Sequence, residues 1–393
     1  MAPSNAARSP GPSRRHRIVF IPGMFGFARL AGYDYFEHVE RALARRFWDA
    51  GIEARLDIVP TPPTASIRRR ARVLAETVHA DGGGRDPGEV IHLVGHSTGA
   101  LDARLLTSPS VQLAMPEETM AWRHQVRTVV SMNTPHHGTP LAAFFATVSG
   151  TRLLYALSLL TFTTLRFGGP PLTVASSLVA ALAGVDDQLG LDIDVLDRVT
   201  DLMLRFIGQR GRNEVRDWLS GIRIDQGGIL QITPEAMDLF NAAVEDAADV
   251  RYASVVSAGA RPAPRTFLAG VRTPWTALSA TIYSTLYSIT SRVPKPYPFP
   301  EPPAEVADAL AQGAGRPVTN GANDGIVPTL SQLRGTLLYA GRADHLDVVG
   351  HFKDDGRPRR HVDWLTSGSR FHRPEFEAMM DAVAAFQLDT DRS

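Results

Sequence analysis

Residues Ile91 to Leu106 read IHLVGHSTGALDARLL, and this stretch decides the fold. Val90 to Val94 form an apolar run of the kind a strand covered on both faces requires, and Ala100 to Leu106 carry a helical pattern. Between them lie Gly95, His96, Ser97, Thr98 and Gly99, spelling G-x-S-x-G. A strand that passes into a helix over so few residues brings backbone against backbone. Side chains at positions 95 and 99 would collide there, and glycine removes the collision. Ser97, at the apex, is then either a nucleophile presented on a strained turn or only a small residue that such a turn tolerates. The five residues alone leave both readings open.

The pattern continues outward. RIVFIPG (17–23) is an apolar strand ending in a glycine loop, IEARLDIV (52–59) a second, and EVIHLVG (89–95) a third. VRTVVSM (126–132), VRYASVVSAG (250–259) and GTLLYAG (335–341) follow as further strands. Between them YFEHVERALARRF aligns Phe36, Val39, Leu43 and Phe47 on one helical stripe. SIRRRARVLAETV groups Ile67, Val73, Leu74 and Val78, with its arginines expected on a solvated face. PEFEAMMDAVAAFQL sets Phe376, Met379, Met380, Val383 and Phe386 at helical spacing. Strands alternating with helices predict an α/β fold, a parallel doubly wound sheet covered on both faces.

Residues 141–230 break this rhythm. LAAFFATVSGTRLLYALSLLTFTTLRF and LTVASSLVAALAG are strongly apolar, but Arg152, Arg166 and Gly-Gly-Pro-Pro interrupt them before about twenty uninterrupted apolar residues accumulate. No transmembrane segment is expected. LDIDVLDRVTDLMLRFIG then places Leu196, Val199, Met203 and Phe206 on a shared face. The insertion reads as a helical cap or lid able to touch a lipid surface, or else as a second small helical core. Residues 1–16 read as a disordered tail and 17–393 as one domain carrying the insertion.

Composition narrows the function classes. The 393 residues are 44% hydrophobic and 21% charged, enough to bury a sizeable core. Lys plus Arg and Asp plus Glu both number 41, which gives no electrostatic case for nucleic acid. With no cysteine, disulfides, thiolate nucleophiles and cysteine metal sites are excluded. The N-terminal stretch lacks the apolar segment of an export signal, so a cytoplasmic location is the expectation.

A serine hydroxyl needs a base, and the base needs an orienting carboxylate. In a fold of this kind both should follow the serine, acid first, on late loops. TNGANDGIVP supplies Asp324 ahead of the strand GTLLYAG, and RADHLDVVG supplies His345 after it. Asp324 also reads as a plain turn residue in the dipeptide context NDG. His96 is expected to point away from the elbow in a structural role; His136, His137, His351, His361 and His372 fit chain order less well than His345.

These segments resemble the bacterial family I triacylglycerol lipases of the Pseudomonas and Burkholderia type, within the α/β-hydrolase fold. VGHSTGALDARLL looks like their serine turn, VVSMNTPHHGTPLA like the strand and loop after it, and NDGIVP and HLDVVG like their acid and histidine loops. ITPEAMDLFN (232–241) is a further likeness. The resemblance implies Ser97 as nucleophile, Asp324 as acid and His345 as base, acting on lipid-like carboxylic esters without a cofactor in the chemistry. It implies Met24 of FIPGMFG and Thr98 as main-chain oxyanion donors, although Pro22 stands where the family has histidine. It also implies a structural calcium ion, for which Asp347 matches one ligand position, a structural hydrogen-bonding role being the other reading of Asp347. The second acidic ligand has no clear match, with Glu301 and Glu305 the upstream candidates. Rival readings with the same residues are an acyltransferase, an intracellular polyester depolymerase, and a catalytically silent lipid-binding protein.

Overall fold

The computed structural model describes residues 15–24, 26–167, 200–263, 273–353, 360–361 and 364–391. Six parallel strands form the central sheet: β1 (His16–Ile21), β2 (Ala54–Ile58), β3 (Val90–His96), β4 (Val126–Met132), β5 (Arg251–Ser257) and β6 (Thr336–Gly341). Their spatial order is β2-β1-β3-β4-β5-β6. All neighbouring pairs are parallel. β1 starts at His16, the last residue of the expected tail, and Arg15 precedes it; residues 1–14 of that tail lie outside the described residues.

Side-chain alternation assigns each face its own core. Ile18 and Phe20 of β1 point into one cluster with Val94, Val130 and Met132, and Val19 and Ile21 into the other with Ile91, Leu93 and Val129. Helices α1 (Glu37–Asp49) and α2 (Ile67–Ala80) cover opposite faces. The α1 stripe predicted from spacing, Phe36, Val39, Leu43 and Phe47, is fully buried. Helix α3 (Gly99–Thr107) follows the elbow.

Between β4 and β5 the described chain is helical: α4 (Pro140–Phe145), α5 (Val148–Phe167), α6 (Gln209–Ile224), α7 (Gly227–Gln231) and α8 (Pro234–Ala243). Thr139 caps α4 by accepting the Leu141 amide, with Pro140 at the first helical position. Helix α5 is apolar because it is enclosed: Leu154, Leu157, Leu159, Leu160 and Phe162 are buried. Its Ser158, Thr161 and Thr163 hydroxyls donate to the carbonyls four residues earlier. Among the described residues no helix is long and apolar enough to cross a membrane. Met203 is buried, whereas Phe206 is half exposed, so the stripe expected there is only partly covered. The stretch LTVASSLVAALAG, with Leu196 and Val199, lies outside the described residues.

Beyond β5 come α9 (Pro274–Thr290) and α10 (Ala304–Ala314). The chain closes with α11 (Arg373–Leu388), which buries the five apolar residues expected of it and packs beside α1. Parallel register brings all strand ends to one edge. Ile21 lies opposite Gly95, and Gly95 opposite Ser131. The loops after β1, β3 and β4 therefore leave side by side, where open α/β sheets place ligands.

Candidate active site

Ser97 has φ +53°, a left-handed conformation rare for a residue with a side chain. That backbone costs about 1–2 kcal/mol. It persists because strand and helix close on each other around it. A Cβ on Gly95 would lie 2.2 Å from the Ala100 nitrogen, and one on Gly99 would lie 2.1 Å from the Ile21 carbonyl oxygen. Both glycines are therefore demanded by sterics. The Ser97 amide donates to the Met132 carbonyl at 2.8 Å, anchoring the turn on β4.

Asp324 reaches the same edge because its loop is tied to the end of β5. Gly259 N–H donates to the Asn323 carbonyl at 2.8 Å, and the Thr329 hydroxyl donates to the Ser257 carbonyl at 3.1 Å. The two readings of Asp324 turn out to be compatible. Its Oδ1 accepts the Ile326 and Val327 amides at 2.8 and 2.7 Å, which is the turn role. Its Oδ2 accepts from His345 Nδ1 at 2.8 Å and from Gln332 Nε2 at 3.1 Å. A carboxylate can only accept, so His345 carries a proton on Nδ1, which leaves Nε2 as the ring nitrogen turned away from Asp324. Both side chains are buried. The Ser97 hydroxyl makes no hydrogen bond among the described residues, including to His345. Such contacts commonly form only with a substrate in place.

The loop after β1 is pressed onto Ser97. A Cβ on Gly23 would lie 2.7 Å from Ser97 Cβ and 3.3 Å from Oγ. Gly26 N–H closes a turn onto the Gly23 carbonyl at 3.0 Å, with buried Met24 inside it. Neither the Met24 nor the Thr98 amide has an acceptor among the described residues. Thr98 stands at the N-terminus of α3, where amides lack intrahelical partners.

The arginines of α2 require a correction. Arg68, Arg69 and Arg72 are exposed as expected, but Arg70 is fully enclosed. It donates from Nε to Asp102 Oδ2 at 2.9 Å, from Nη1 to the Pro62 carbonyl at 2.7 Å, and from Nη2 to the Pro22 carbonyl. Asp102 is on α3, so one guanidinium joins the elbow helix to the loop carrying Met24. The signal was available: Arg70 is three residues after Ile67 and four before Leu74, on the buried stripe rather than the polar face. Burial pushes the Asp102 carboxyl up to about 7, opposed by Arg70.

Other histidines occupy distinct places. Burial, and then His345, push His96 well below the usual imidazole range, so it is neutral. His136 is held low by burial and by Arg104, and its carbonyl accepts from Asn241 at 2.7 Å. His137, pushed down to about 4 by burial and the Arg334 and Arg104 charges, sits beside Phe299. His372 is the N-cap of α11. The segment 232–241 packs on the loop after β4, where a Cβ on Gly138 would lie 2.7 Å from the Pro234 nitrogen.

For the calcium ion that the resemblance implies, the described residues bring Asp347 together with Asp344. Asp347 Oδ2 accepts the Asp344 amide at 2.7 Å, while Asp344 Oδ1 accepts the Leu346 and Asp347 amides, so the turn engages one oxygen of each carboxylate. Glu301 and Glu305 are exposed, whereas Asp347 is buried. Among the described residues no three His, Asp or Glu side chains gather, and calcium takes six to eight oxygens.

No protein-family model matches the chain, and no curated protein matches it significantly. Solved structures do. Staphylococcus hyicus lipase aligns with a TM-score of 0.52 at 14% identity, over 98% of this chain and 99% of that one. Lipase 1 from Pelosinus fermentans aligns with a TM-score of 0.50 at 15% identity, over 90% and 97%. The chain has the α/β-hydrolase fold.

Proposed function

We propose that the protein is a serine carboxylic ester hydrolase acting on lipid-like esters. The observation that carries this reading is the Asp324–His345 contact at 2.8 Å, on the sheet edge that also presents Ser97 at φ +53°. His345 Nε2 takes the Ser97 proton as Oγ attacks the ester carbonyl carbon, and Asp324 steadies the resulting imidazolium. The amides of Met24 and Thr98, which have no acceptor among the described residues, receive the developing oxyanion. His345 returns the proton to the departing alcohol. Water then attacks the acyl-serine, giving its proton to His345, and the acid leaves as Ser97 recovers its own.

The insertion supports an apolar acyl chain as substrate. Phe27, just after the Met24 turn, packs edge-on against Phe162 of α5 and Trp218 of α6, at 6.4 and 5.9 Å between ring centroids. An aromatic wall from the insertion thus adjoins the loop carrying the proposed oxyanion donor, in keeping with a cap over the site.

A fluorophosphonate probe together with short and long p-nitrophenyl esters tests the assignment. Wild-type protein is expected to label and to hydrolyse, and Ser97→Ala to do neither. Full hydrolysis by Ser97→Ala would overturn the reading. Product analysis with added alcohol separates hydrolysis from acyl transfer.

A further inference from the structure

Resting on the hydrolase reading, we propose that His96 and Tyr35, with Asn133, are positioning residues that hold the main chain of His345. His96 Nε2 lies 2.9 Å from the His345 carbonyl oxygen, and Asn133 Nδ2 donates to the same oxygen at 3.3 Å. The His345 amide donates to the Asp324 carbonyl at 3.1 Å. The peptide groups on both sides of the His345 Cα are therefore tied down before its ring meets Asp324.

The donors come from adjacent strand ends. His96 closes β3 and Asn133 follows β4, and Asn133 has φ +50°, the same left-handed turn as Ser97 in the neighbouring loop. One strained turn thus presents the serine, and the turn beside it presents an amide to the histidine loop.

Proton positions in the relay are determined by its end. A carbonyl only accepts, so His96 carries its hydrogen on Nε2 and its Nδ1 must accept. The partner of Nδ1 is the Tyr35 hydroxyl at 3.0 Å, which donates. Tyr35 and His96 are both buried, and burial keeps the phenol protonated and the imidazole neutral, so this pair is uncharged and shielded from water. The His96 and His345 rings stand 4.9 Å apart. A neutral His96 there places no charge against the imidazolium that catalysis forms on His345.

Tyr35 belongs to a segment that grips the histidine loop repeatedly. The Tyr33 hydroxyl and His351 Nδ1 are 2.7 Å apart, and His38 Nε2 lies against the Phe352 main chain, 3.1 Å from its carbonyl oxygen and 3.3 Å from its amide nitrogen. Residues 33–38 thus engage the chain at 351 and 352 directly, and at 345 through His96. Because this segment follows the Met24 loop directly, the proposed oxyanion donor and base share a support.

The test uses side-chain reach. A glutamine amide nitrogen superimposes on histidine Nε2, whereas an asparagine nitrogen reaches only Nδ1. His96→Asn should lower kcat by about 10- to 100-fold, the effect of misplacing a reacting group by about 1 Å, with KM unchanged. His96→Gln should restore most of that loss, and Tyr35→Phe should lower kcat several-fold with KM unchanged. Melting temperature and the fluorophosphonate labelling rate are followed in parallel. Wild-type kcat in His96→Asn, or equal losses in the Asn and Gln variants that track melting temperature, would overturn the proposal. Should His96→Asn not fold, Tyr35→Phe decides, and an unchanged kcat refutes. Labelled wild type with an unaffected His96→Asn removes this proposal alone; wild type that neither labels nor hydrolyses removes the hydrolase reading and this proposal with it.

Discussion

Replacing Arg70 by methionine tests whether one buried guanidinium holds the elbow helix and the Met24 loop together. Methionine keeps most of the apolar stem but removes every donor. Arg70 and Asp102 side chains are 2% and 0% exposed, so solvent cannot substitute. Removing one partner of a buried pair costs about 3–5 kcal/mol, chiefly from the charge left behind. The Asp102 carboxyl, already pushed to about 7 by burial, will take up a proton when Arg70 is gone, which limits the loss. The Pro22 and Pro62 carbonyls also lose their donor, at about 1–3 kcal/mol for each group left unsatisfied. The expected total is about 5 kcal/mol, the low ends of these ranges together, since protonation of Asp102 and water at the half-buried Pro62 limit the loss. Urea unfolding at neutral pH measures it. Adding Asp102→Asn to Arg70→Met removes the stranded acid, so the double variant should be more stable than the sum of the single losses predicts, by about 1–3 kcal/mol. A loss below about 1 kcal/mol for Arg70→Met, or strict additivity in the cycle, would refute the account. Hydrolysis should fall as well, because freeing the Pro22 carbonyl releases the peptide before Gly23 and lets the Met24 amide swing.

Gly23→Ala places a methyl 2.7 Å from Ser97 Cβ and 3.0 Å from the His96 carbonyl oxygen, forcing the loop off the elbow. Its kcat is expected to drop by about 100- to 1000-fold, the effect of losing one oxyanion donor, and normal turnover would show that the Met24 amide is not one. Gln332→Leu removes a donor to Asp324 Oδ2 and should lower kcat through a less steadily held His345; kinetics indistinguishable from wild type would dismiss that role. His92 is pushed down to about 3 by burial and the adjacent His16, so it is neutral when folded and protonated when unfolded at acid pH. Stability therefore falls with its titration as pH drops from about 6.5 towards 3, at up to about 1.4 kcal/mol per pH unit. His92→Leu, whatever its stability at neutral pH, should flatten the pH dependence by that slope, and parallel curves for the two proteins would refute it.

Much of the fold was legible because its signals are local. A strand covered on both faces must be apolar at successive positions, and VRTVVSM coincides with β4 from Val126 to Met132. Gly95 and Gly99 announced the elbow because a Cβ at either would enter backbone within 2.2 Å. Asp324 and His345 were found from chain order and loop position, and the structure places them in contact. The arginines of α2 show where such reading stops. Charge suggested solvent for all of them, yet the partner that makes burial of Arg70 tolerable is Asp102, on a helix that only packing brings near.

What the sequence determined by itself, then, is whatever backbone sterics and side-chain alternation decide over a few residues: the strands, the helical stripes, and the turn that sets Ser97 at its apex. What only the tertiary structure decided is which distant groups share a hydrogen bond. Gln332 on Asp324, His96 and Asn133 on the His345 carbonyl, and Arg70 on Pro22 join segments that meet because parallel register aligns six strand ends at one edge. The same packing closed Asp344 and Asp347 into a turn with each other. Hydrogen bonds depend on direction and on about 3 Å of separation, and neither is encoded until the sheet has assembled.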